Sequence, residues 1–181
     1  MTTTRTRALD AAIDLVGTTG LRALTHARVD ERAGLPKGST SNYFRTRAAL
    51  LAGVVERIVE RELPQVEEAG TLPATADELV DALCGLLDAT TDAGRTLTTA
   101  RLVVFLEASH DADLREALAR GRRAMESATV RVLARLGASN PEAGAAAIMA
   151  CSEGLILHRI ARHDATDPRP AIELVVRAAL S

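Results

Sequence analysis

The chain has 181 residues, enough for one compact unit or two small ones sharing a helix. Nearly half of them are hydrophobic and only 2% aromatic, so the core must be built from Ala, Leu, Val and Ile, which favours helix and excludes a disordered chain. The formal net charge of −2 hides an asymmetry: residues 1–47 carry a net +4 and residues 48–181 a net −6.

A basic segment joined to an acidic one suits a nucleic-acid reader attached to a half with another task. Chance fluctuation in an ordinary enzyme is the plainer alternative. In chain order, Leu9, Ala12, Ile13 and Val16 recur at i, i+3, i+4 and i+7, which predicts an amphipathic helix ending near Gly17–Gly20. Arg5 and Arg7 precede its apolar face; a frayed tail is expected there, with phosphate contact as the alternative. Thr25 is an N-cap for a short second helix with Val29 and Ala33 on one face, and Gly34 suits the left-handed position after it. Pro36 is pre-set for a first helical turn, so the third helix is predicted over 36–43. Thr46 caps a long fourth helix carrying Leu50, Leu51, Val54, Val55, Ile58 and Val59, with Pro64 and 70–73 marking its end.

Helices are also predicted near 75–91, 95–109 and 112–136, the last closing at Gly137. Asn140 followed by Pro141 opens another to about 163. A final helix carries Ile172, Val175, Val176 and Ala179. The fold class is all-α, about nine helices with no strand.

The informative stretch is Leu24–Leu51, two short helices joined by a tight turn at Gly34–Leu35. That spacing is what a helix-turn-helix requires, with the second helix free to enter a major groove. The second helix is small and polar: Lys37, Gly38, Ser39, Thr40, Ser41, Asn42. Such residues are mediocre helix formers, but they permit close approach, and hydroxyls can bond bases and phosphates alike. Arg45 and Arg47 add charge at the far end.

This ordering resembles the signature of the TetR family of transcriptional regulators. It runs through Thr25, Val29, Ala33-Gly34-Leu35, Gly38-Ser39, Tyr43-Phe44, Thr46-Arg47 and Leu50-Leu51. The resemblance implies an N-terminal three-helix helix-turn-helix domain over 1–47, a linker helix over 48–62, and a helical ligand-binding and dimerisation domain over 63–181. It also implies a homodimeric repressor that binds a near-palindromic operator in double-stranded DNA and is released by an unknown small-molecule effector.

Carried over by position, Thr25 and His26 look like phosphate anchors at a helix N-terminus. Lys37, Gly38, Ser39, Thr40 and Ser41 match groove-facing positions. Tyr43 matches a phosphate-reaching position, Arg47 a phosphate clamp and Phe44 a core residue. Plainer readings exist: Tyr43 as a core edge, Lys37 as a solvated turn charge, His26 as incidental. Asp30 and Glu31 must face away from DNA, or charge repulsion would oppose binding. Two positions depart from the family pattern. Ser41 stands where Tyr is usual, and Pro36 where an N-capping Ser is usual.

For the effector pocket, Arg101, Leu102, Phe105, Leu106 and His158 are candidates, each with ordinary core or surface as the plainer reading. The small residues 144–147, Ser152 and Gly154 beside Ile148, Leu155 and Ile156 fit a helix-pair dimer interface, or ordinary internal packing.

No enzyme is expected. Glu107 and His110 form one ExxH, whereas di-iron bundles need two and further Glu residues. His158 and His163 point to different helix faces, and P-loop, GxGxxG and GxSxG motifs are missing. Cys84 and Cys151 read as free buried thiols. No catalytic residue, cofactor, metal or membrane partner is expected. The longest unbroken apolar run is about nine residues, 143–151, so a cytoplasmic, nucleoid-associated protein is expected.

Overall fold

Hydroxyl and amide side chains take up the orphan amides at the helix starts. Thr3 accepts from the Thr6 amide, Thr25 from Arg28, Thr46 from Ala49, Thr75 from Glu78 and Asn140 from Ala143, at 3.1 to 3.4 Å. The computed structural model describes residues 3–67 and 72–181. Among them are nine α-helices and no strand. They are α1 (Thr4–Thr19), α2 (His26–Ala33), α3 (Ser39–Tyr43), α4 (Arg47–Glu67), α5 (Ala76–Thr91), α6 (Arg95–Glu107), α7 (Ala112–Arg135), α8 (Pro141–Ala161) and α9 (Arg169–Ala179).

Three boundaries differ from the sequence reading. Arg5 and Arg7, expected in a frayed tail, lie inside α1, which starts at Thr4, and both are engaged. Arg7 donates to the Ala33 carbonyl at 2.8 Å, closing the end of α2, and Arg5 lies 5.5 Å from the Phe44 ring centroid. Helix α3 begins at Ser39 rather than Pro36, because Gly38 takes φ +91°, a left-handed conformation that no helical residue adopts. Helix α4 runs past Pro64 to Glu67, so the proline does not mark its end.

The chain forms two compact units. The first comprises 1–63 and 95–121, the second 64–94 and 122–181. In the first, Leu9, Ile13 and Val16 of α1 are buried with Leu24, Val29, Phe44, Leu50, Val54, Ile58 and Val104. Residues 95–121, which the sequence reading includes in 63–181, pack in this unit, where α6 lies on α1. Gly17 makes that approach possible: a Cβ there would lie 2.1 Å from the Thr96 carbonyl oxygen. Arg57 of α4 reaches both carboxylate oxygens of Asp10 on α1, at 2.9 and 3.3 Å.

In the second unit, α5, α8 and α9 pack around Leu79, Val80, Leu133, Ile148, Ile172 and Val176. Arg159 and Arg169 pair with Asp88 and Asp81 of α5. By length and composition α8 is the one helix among the described residues able to cross a membrane, with mean hydropathy 1.2 over a window only 22% buried. The count of unbroken apolar residues missed this, since Ser152 and Glu153 interrupt the run without undoing the average.

Candidate nucleic-acid interface

Helix α3 is five residues long, below the length at which a helix sustains itself, and it has no side-chain cap of its own. Its stability must come from neighbours, and α2 supplies it. The carboxylate of Asp30 receives the Gly38 amide at 2.7 Å, the Thr40 amide at 2.8 Å and the Thr40 hydroxyl at 2.5 Å. At the other end, His26 Nε2 lies 2.7 Å from the Phe44 carbonyl, which can only accept, so the ring nitrogen donates. Asp30 and His26 are one helical turn apart and hold the two ends of α3.

Burial opposes charge on Asp30, but the Thr40 hydroxyl, the Thr40 and Gly38 amides and nearby His26 outweigh it. The carboxyl is held below its ordinary range. Sequence reasoning placed Asp30 away from DNA and gave it no task. A signal was available in Gly38, the N-cap of α3, which has no side chain to accept from the first amides of the helix.

The expected contact residues divide into two groups. Thr40 is fully buried with its hydroxyl committed to Asp30, so it does not face a groove. Gly38 is needed for its backbone conformation, and its amide is also committed. His26 is half-buried and tied to Phe44. The others lie at the surface. Lys37 is exposed, Ser39 and Ser41 are half-buried, and Tyr43 is 51% exposed. Ser39 and Ser41 donate to the Pro36 and Gly38 carbonyls, leaving oxygen lone pairs able to accept. Thr25 is exposed and caps α2. Arg47 is exposed and gives one N–H to the Leu21 carbonyl at 3.0 Å. Arg28 and Arg45 add exposed cations; Arg45 was read from the sequence as charge at the far end of the helix, and Arg28 was not singled out. Phe44 is 5% exposed, and its ring occupies the space a Cβ on Gly53 would need, 2.6 Å away.

The pocket candidates fall in both units. Arg101, Leu102, Phe105 and Leu106 belong to the first unit and His158 to the second. Phe105 and Leu106 are 54% and 71% exposed, and Arg101 pairs with Glu62 of α4 at 3.1 Å. A hollow of about 450 Å³ on the second unit is lined by Arg123, Glu126, Ser127, Val130 and Arg131, none of them a candidate.

Comparison with known proteins bears on this geometry. The profile of the bacterial regulatory proteins of the tetR family matches residues 8–54, and that of the tetracyclin repressor-like C-terminal domain matches 74–181. No curated protein matches. Among solved structures, a transcriptional regulator from Rhodococcus sp. Rha1 is 23% identical with TM-score 0.81, covering 98% of this chain and 96% of its own. A TetR transcription regulator from Haloarcula marismortui is 15% identical with TM-score 0.83, covering 98% of each. The multidrug binding protein EbrR, complexed with ethidium, is 25% identical with TM-score 0.77, covering 98% and 99%. With both profiles matched in order along the chain, and a helix-turn-helix where the first one falls, the protein belongs to the TetR family of transcriptional regulators.

Proposed function

We propose that the protein is a ligand-responsive repressor: a homodimer holds a near-palindromic operator through two copies of α3 and lets go when a small molecule binds. The observation that carries the reading is the surface of α3. Tyr43 stands half-exposed, Ser39 and Ser41 sit at the surface, and the cations Lys37 and Arg45 flank the helix. Short polar side chains with cations at both ends suit a helix that lies in a groove between phosphates. In this reading Thr25 and Arg47 add phosphate contacts.

The dimer reading rests on α8 and α9. Ala143, Ala146, Ala147, Ala150 and Leu157 share one exposed face of α8, and Leu174 of α9 is 74% exposed. A second copy of the chain would cover these apolar groups and set two readers at a fixed spacing. Residues 1–47 then read DNA, 48–62 connect, and 63–181 sense and pair. EbrR binding ethidium, proflavin and imidazole supports a small-molecule effector. Residues Arg101, Leu102, Phe105, Leu106 and His158 stay as proposed contacts for it. Helix α6 offers a route, because it packs on α1 within the reader's own unit. A cytoplasmic, nucleoid-associated location and no catalysis follow from this role.

The test is enrichment of duplexes from a random pool by the purified protein, followed by titration of the selected duplex at several salt concentrations. A near-palindromic consensus is expected, with affinity falling steeply as salt rises through counterion release. No enrichment would overturn the reading.

A further inference from the structure

We propose that Asp30 and His26 of α2 are positioning residues for DNA recognition: they grip both ends of α3 and set how its outer edge meets the groove. The inference rests on the reading of α3 as the DNA reader. It adds that a buried Asp30–Thr40 pair, rather than residues at the surface, limits specificity.

The physical case starts from weakness. Ser, Thr, Ser, Asn and Tyr are poor helix formers, and five residues cannot hold a helix in water. The turn before α3 holds Gly38 in a left-handed conformation and is closed locally by the Ser39 amide and hydroxyl, which both donate to the Pro36 carbonyl. One carboxylate binds three donors across that junction, and one imidazole binds the carbonyl where α3 stops. Both side chains come from the same face of an eight-residue helix. Helix α2 is in turn closed by Arg7 and seated on α1 through Val29. The path is therefore short and rigid: α1 fixes α2, and α2 fixes α3. Loosening either tie leaves Lys37, Tyr43 and the cations present for phosphate contact while the edge between them loses its register. Base readout demands that register, whereas phosphate attraction tolerates its loss.

The test compares variants on two duplexes at matched salt: the one enriched by the wild-type protein and a scrambled duplex of equal length. Thr40→Val keeps the shape and removes the hydroxyl; Thr40→Ser keeps the hydroxyl. His26→Ala removes the second tie at a half-buried position, and His26→Gln keeps a donor. For Thr40→Val and for His26→Ala, affinity for the enriched duplex is expected to fall about five- to thirtyfold, the scale of one lost hydrogen bond to a charged or end group. Affinity for the scrambled duplex should change less than twofold, and Ser and Gln should recover most of the loss. Circular dichroism melts report folding, and His26→Ala decides the matter if Thr40→Val does not fold. Equal loss on both duplexes, or no loss on the enriched one, overturns the clamp while leaving the reader intact. A wild-type protein that enriches no duplex removes the reader and the clamp together.

Discussion

Two glycines show how single residues govern the packing. A Cβ at Gly17 would lie 2.1 Å from a backbone carbonyl oxygen, whereas one at Gly53 would meet the Phe44 ring at 2.6 Å. The ring can tilt and the backbone cannot. Gly17→Ala is therefore expected to destabilise the fold by about 3 kcal/mol and Gly53→Ala by about 1–2 kcal/mol, net of the helix propensity gained. Urea unfolding measures both, and the reverse order would contradict the packing described. Asp30 carries a pH signature. Its carboxyl is held below the ordinary range in the folded state, so its stabilisation is complete above that range and lost as pH falls through the folded value. The stability difference between wild type and Asp30→Asn should shrink on acidification below about pH 4; a difference constant with pH would rule out a charged Asp30. Little of this was legible in the sequence. Val29 read as core from its spacing and Phe44 from the family resemblance, but Asp30 is a charged residue whose burial makes sense only once Gly38 and Thr40 lie against it.

At the scale of elements, hydrophobic period and capping residues were enough to place the helices. They failed where a tertiary partner replaced a local signal. Helix α3 starts late because its cap comes from α2. Helix α6 joins the first unit because Gly17 admits Thr96, and periodicity names a buried face without naming what covers it. The tie between α4 and α6 gives a further test. Burial pushes the Glu62 carboxyl up, against the pull of Arg101 and Arg61. A raised carboxyl favours the folded state when protonated, so its contribution is greatest at low pH and declines as pH rises through the folded value. Arg101 offsets that decline. Arg101→Ala should destabilise the protein at pH 7 by about 1–3 kcal/mol, and adding Glu62→Gln should restore most of it. A double variant no more stable than the single one would contradict the pairing.

For the whole molecule, the exposed small-residue face of α8 and the exposed Leu174 carry the proposed assembly. Ala150→Glu with Leu174→Glu should convert a dimer of about twice 19.1 kDa to a monomer in light scattering, and weaken operator binding with it. A wild-type monomer would remove the symmetric-operator reading. The sequence displayed the small residues but not their exposure, because internal packing and assembly use the same residue types. The helix-turn-helix was legible because its spacing, its turn glycine and its reader composition are local. An effector site was not, because periodicity marks an apolar face without showing which residues of distant helices meet there.

The most direct measurement is the salt dependence of binding to the enriched duplex for wild type and Lys37→Ala. If α3 lies in a groove with Lys37 at a phosphate, the wild-type slope of log affinity against log salt is steep, and Lys37→Ala lowers it by about 1. A salt-independent affinity, or equal slopes for the two proteins, would contradict the placement of α3 on DNA.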